Sequence, residues 1–192
     1  MLRIENLRKA FGGVVATSDV SIHFPKESLS AVIGPNGAGK TTFFNLISGA
    51  IRPDAGNIYL DGENIVGLSG NDIVRKGIGR AFQVAKLFKS LTVEESLRGA
   101  LLSPLGRSAQ MSGRFPLPET RDRAYEVMDQ LGLTPKANVI SGNLSHGDQK
   151  LLDMALALVL KPKVLLLDEP VAGMGPEERE QMIETVHALW KK

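Results

Sequence analysis

The chain has 192 residues, enough for one domain with a substantial core or for two lobes, and its 43% hydrophobic and 23% charged residues are those of an ordinary soluble globular protein. A net charge of +2, with Lys and Arg scattered along the chain, gives the pI of about 8.9 little weight as a sign of an anionic partner, and no nucleic acid is expected. The absence of cysteine excludes disulfides, thiolate metal sites and cysteine nucleophiles, and suits the cytosol.

Taken in chain order, MLRIENLRKAFGG has no apolar run long enough for a secretory signal. Leu2 to Leu7 and Val20 to Phe24 alternate apolar and polar residues and read as half-buried strands. Ser30 to Ile33 reads as a short apolar strand running into the glycine-rich loop GPNGAGKTT, with a helix over Thr41 to Ser48 behind it. Arg52 to Gly56 is a turn signal before a strand at Asn57 to Leu60. Asp72 to Lys76 reads as a short helix leading into a strand that ends near Gln83.

From there the pattern turns helical. Thr92 and Glu95 form a capping-box signature for a helix over Thr92 to Leu102. Ser103 to Pro118, rich in Ser, Gly and Pro, reads as a mobile loop. Glu119 to Leu131 carries Ala124, Met128 and Leu131 on one helical face. Ser145 caps a helix running to Leu160; its apolar part, Leu151 to Leu160, contains Asp153, stops before Pro162 and is about half the length of a spanning helix, so it reads as a buried helix. Lys163 to Leu167 is a continuous apolar run, the mark of a parallel strand buried on both faces. Pro176 opens the last helix, to about Trp190. The whole reads as α/β at both ends with a helical insert from about Val84 to Leu160.

Three segments carry chemistry. Gly34, Gly39, Lys40 and Thr41 satisfy the phosphate-loop spacing, in which glycines let successive backbone N–H groups face phosphate oxygens at the positive end of a helix. The whole loop, Gly34, Pro35, Asn36, Gly37, Ala38, Gly39, Lys40, Thr41 and Thr42, is therefore the candidate ATP site, with Lys40 at the β- and γ-phosphates, Thr41 at Mg²⁺ and Thr42 near the α-phosphate. The apolar strand before Asp168 delivers that carboxylate to a strand end where it can hold Mg²⁺ through water, with Glu169 next and pointing elsewhere. In LSHGDQ, Ser145 and Gly147 offer a hydroxyl and a backbone N–H at a helix N-terminus, ready for an anion. His146, one of three histidines with no partner at metal-ligand spacing, does not read as a metal ligand.

In this order, GPNGAGKTT, LSHGDQ and VLLLDEP resemble the ATP-binding cassette (ABC) family along the whole chain, although LSHGDQ departs from the commoner LSGGQ by His146 and by Asp148 before Gln149. The resemblance implies a P-loop NTPase of α/β class with a RecA-like core, an antiparallel β subdomain and a helical signature subdomain: core and β subdomain over about 1–83 and 161–192, helical subdomain over about 84–160. It further implies that Phe11 stacks on adenine and that Glu169 is the general base. Gln83 would sense Mg²⁺ and the γ-phosphate, and Val84 to Ser90 would grip a membrane subunit. Ser145 and Gly147 would face the ATP of a second cassette. Expected partners are thus a second ABC ATPase subunit, membrane permease subunits and, indirectly, a solute-binding protein, at the cytoplasmic face of the membrane.

Phe11 to Gly13, Gly77 to Gln83, the Leu-Ser-His-Gly signature and Asp168 to Met174 look like the cassettes of branched-chain amino-acid importers, with urea and short-amide importers close in wording. The family's next strand and its switch histidine do not appear before Lys192, so a truncated cassette with a gap in its central sheet is expected, and His187 lies within the last helix. A catalytically incompetent ATP-binding fragment and a soluble, non-transport ABC ATPase are the other readings.

Overall fold

The computed structural model describes residues 1–81, 87–102 and 120–191, which divide into two compact units, Met1–Ile78 and Gly79–Lys192. In the first, β1 (Leu2–Phe11) and β2 (Val14–Phe24) form a hairpin, followed by α1 (Lys40–Ile47), β3 (Ala55–Leu60), β4 (Glu63–Asn64) and α2 (Gly70–Lys76). The antiparallel sheet runs β2-β1-β3-β4. Leu2, Ile4 and Leu7 of β1 and Ile58 and Leu60 of β3 are buried.

The uneven spacing of the β1 core residues has a local cause. Asn6 adopts φ 49°, and the register with β2 shifts between Ile4 and Leu7. That bulge returns Leu7 to the buried face, which strict alternation would have denied it. Gly56 passes so close that a Cβ there would lie 2.4 Å from the Asn6 carbonyl oxygen, and its φ is 90°.

Both hairpin strands are longer than the alternation predicts. Phe11 pairs with Val14 across Gly12-Gly13, a two-residue turn that carries pairing to the loop. Ser30 to Ile33 departs from expectation more sharply: it forms no strand, and Ile33 is 92% exposed. A four-residue apolar run is a strand only with a neighbour to take its N–H and C=O groups, and no described segment supplies one.

The second unit takes all but the first residue of β5 (Ile78–Ala81), which pairs with β6 (Val164–Leu167), and the helices α3 (Val93–Ala100), α4 (Arg121–Gln130), α5 (His146–Leu158) and α6 (Pro176–Trp190). Its core gathers Val93 and Leu97 of α3, Ala124, Val127 and Met128 of α4, and Leu152 of α5. The capping box at Thr92 forms as expected: Glu95 N donates to Thr92 Oγ1 at 3.2 Å and Thr92 N to Glu95 Oε2 at 2.9 Å. In β6 only Leu166 is buried, whereas the apolar run predicts burial on both faces. With β5 as its one described partner, the strand remains half-covered. The expected loop over Ser103 to Pro118 lies outside the described residues.

Candidate functional site

In the first unit the phosphate loop is shaped by backbone conformation. Gly37 and Gly39 have φ of 81° and 84°, and Gly39 is the N-cap of α1. A Cβ at Gly39 would sit 2.1 Å from the Ala16 carbonyl oxygen of β2, so strand and loop meet where only glycine fits. Ala38 N donates to Pro35 O at 3.2 Å, closing the turn. No side chain caps α1 and no acidic residue lies in its first turn, so the N–H groups of Lys40, Thr41 and Thr42 face outward at the positive end of the helix. The Lys40 ammonium donates to the carbonyls of Gly34 at 2.8 Å and Pro35 at 2.9 Å, folded back over its own loop. These donors fit an anionic phosphate chain: charge, free N–H groups and a cradle that a side chain would obstruct.

Phe11 is 50% exposed at the tip of the hairpin, so the aromatic is no core residue. Lys9 Nζ lies 5.5 Å from its ring centroid and pairs with Asp54 Oδ1 at 2.7 Å. That hydrogen bond, with one from the Ala10 amide, holds the Asp54 carboxyl below its ordinary range.

In the second unit β6 delivers Asp168, as the run Val164 to Leu167 predicts. Asp168 is 4% exposed, and Arg80 Nη2 on β5 donates to its Oδ2 at 3.0 Å. Glu169 follows with φ 50°, a left-handed conformation uncommon in a residue with a side chain. Its carbonyl accepts from Ala172 N at 3.0 Å and from Lys150 Nζ at 3.2 Å. Among the described residues no group of three His, Cys, Asp or Glu could hold a metal.

At the start of α5, Ser145 is the N-cap: Asp148 N donates to Ser145 Oγ at 3.2 Å, and the hydroxyl donates to Asp148 Oδ2 at 2.7 Å. Lys136 Nζ donates to the other Asp148 oxygen at 2.6 Å. Ser145 and His146 are exposed, while Gly147 is half-buried, with room for a Cβ only 3.3 Å from Glu178 Oε1. Gln83 lies outside the described residues.

Sequence motifs did not single out Arg80, Lys150 or Asp153 as site residues. Their signal is charge inside an apolar run: Lys150 and Asp153 sit one helical turn apart in KLLDMALAL, and both are buried. With Asp168 and Pro170 they line one small cavity.

Comparison with known proteins matches residues 17–172 to the family described as ABC transporter. The chain is 37% identical to "High-affinity branched-chain amino acid transport ATP-binding protein LivG" of Escherichia coli (strain K12), over 98% of this chain and 76% of that protein. It is 38% identical to "High-affinity branched-chain amino acid transport ATP-binding protein BraF" of Pseudomonas aeruginosa, over 95% of this chain and 74% of that protein. Among solved structures, the ADP conformation of MJ1267, an ATP-binding cassette of an ABC transporter, superposes with a TM-score of 0.88 at 32% identity, covering 100% of this chain and 77% of that one. A dimeric post-hydrolysis state of the cassette MJ0796 bound to ADP and Pi gives 0.81 at 25% identity, covering 100% and 83%.

Proposed function

This chain belongs to the ABC transporter family, and from that premise we propose that it is the ATP-hydrolysing subunit of an importer for branched-chain amino acids, working as one of two cassettes beneath a membrane permease. The observation that carries the nucleotide reading is the uncapped start of α1, with its outward N–H groups, its two left-handed glycines and Lys40 folded over the loop. Lys40 exchanges the carbonyls of Gly34 and Pro35 for β- and γ-phosphate oxygens, and Phe11 offers its exposed face to adenine. Mg²⁺ would supply positive charge at the phosphates, with Thr41, Gln83 and, through water, Asp168 as the residues that would hold it. Glu169 polarises the attacking water and Gln83 completes the site. Ser145 and Gly147 face the nucleotide of the second cassette. The solute class rests on the names of the relatives.

No helix among the described residues is long and apolar enough to cross a membrane. The division into a RecA-like core, a β subdomain and a helical signature subdomain, and residence at the cytoplasmic face, belong to the same proposal. Lys40→Ala tests it: fluorescent-ATP titration is expected to show affinity reduced by about tenfold or more, the order of one charge-assisted contact. Unchanged affinity would remove the phosphate-loop assignment.

A further inference from the structure

We propose that Lys150 is a positioning residue for Glu169, fixing the left-handed peptide of the general base from the helix that begins with Ser145. The inference rests on Glu169 being that base, and deepens the reading above.

Three observations carry it. Lys150 is 7% exposed, in the second turn of a helix capped by Ser145 and holding Gly147 in its first turn, and its Nζ donates at 3.2 Å to the Glu169 carbonyl. Burying an ammonium is unfavourable unless something holds it there. Burial depresses the Lys150 pKa, and the carboxylates of Glu169 and Asp153 oppose that by attraction. Second, the Glu169 carbonyl is the acceptor that closes the turn to Ala172, so the residue with φ 50° is gripped by two donors at one oxygen. A non-glycine residue holds such a conformation only when its surroundings over-determine it. Third, the chain beyond the turn packs on the start of the same helix. A Cβ on Gly173 would lie 3.3 Å from His146 Nε2, and one on Gly147 would lie 3.3 Å from Glu178 Oε1.

The direction of the Glu169 carboxylate follows from its φ and ψ, because Cβ leaves the backbone at an angle those torsions set. Lys150 acts on the peptide oxygen, so it sets that direction through the backbone. It also ties the base to the helix end that faces the second nucleotide, so a shift of α5 on that side moves the base.

The test uses the protein expressed from its whole gene, with ATP and Mg²⁺. Lys150→Met keeps the apolar stem and removes the donor. Turnover should fall about ten- to a hundredfold, the order of a small misplacement of a catalytic group, with KM for ATP and the melting temperature nearly unchanged. Amide exchange at Ala172 should quicken in the same variant, and Lys150→Arg should restore most of the turnover. Parental turnover in Lys150→Met overturns the proposal. So does a joint fall of turnover and melting temperature that Lys150→Arg does not repair, which is the signature of packing alone. The unmutated protein gives a second measurement: the Lys150 ammonium should show slow hydrogen exchange in ¹⁵N spectra, and exchange like that of a surface lysine overturns the assignment even were every variant to unfold. Glu169→Gln separates the two layers. If that variant hydrolyses ATP normally the base reading fails, whereas Ala172 exchange still reports whether Lys150 holds the turn.

Discussion

Burying a guanidinium against a carboxylate makes each group depend on the other. Arg80 lies on β5 and Asp168 directly follows the adjacent β6, their side chains almost fully enclosed and 3.0 Å apart. Removing Arg80 leaves Asp168 desolvated without this counter-charge, a loss of roughly 3–5 kcal/mol in comparable buried pairs. Arg80→Met is therefore expected to lower stability by about 3 kcal/mol in urea unfolding. A change within the usual spread of surface substitutions, about 0.5 kcal/mol, would mean that Asp168 is held by other means. Asp168 was legible in the sequence because an apolar strand ending in an acid is a recognisable motif. Arg80 was not, since its meaning lies in a pairing 88 residues away in sequence. Lys150 was hidden for the same reason: its partner is a backbone carbonyl, which no side-chain motif records.

Elements were read best where their own residues determine them. The capping box at Thr92, the apolar face of Ala124 and Met128 in α4, and the Ser145 cap all formed because helix ends and faces are local properties. Ser30 to Ile33 failed as a strand because pairing is not local, and β2 exceeded its expected length because Gly12-Gly13 continues the ladder to the turn. The start of α5 yields a pH prediction. Burial alone would raise the Asp148 pKa, but hydrogen bonds from Lys136 and Ser145, with the charge of Lys136, outweigh it and hold the carboxyl below its ordinary 3.8. A folded value below the unfolded one means that Asp148 adds stability above pH 3.8 and that this is lost as pH falls through the folded value. Asp148→Asn should therefore melt below the parent at pH 7 and converge with it in strong acid. Melting curves across that range check it, and a constant gap at every pH would assign the effect to shape and not charge.

At the scale of the whole molecule, the candidate site reads in the sequence as a set of motifs that fall in different units. The phosphate loop belongs to Met1–Ile78, while Asp168, Glu169 and Ser145 belong to Gly79–Lys192. A nucleotide shared between two copies makes a prediction that neither unit makes alone. Ser145 is exposed and caps α5, so substituting it has two effects: the cap is lost, at about 1 kcal/mol, and the helix end proposed to face the second nucleotide changes. Ser145→Ala removes only the hydroxyl. Ser145→Arg removes the same cap and adds a bulky side chain where a phosphate should approach backbone N–H groups. Both variants should therefore fold with similar small drops in melting temperature, yet in a Glu169→Gln background Ser145→Arg alone should prevent the ATP-dependent dimer that light scattering detects. An ATP-dependent dimer of undiminished size with Ser145→Arg would leave this helix end an N-cap and nothing more, and the second cassette would have to meet the nucleotide elsewhere.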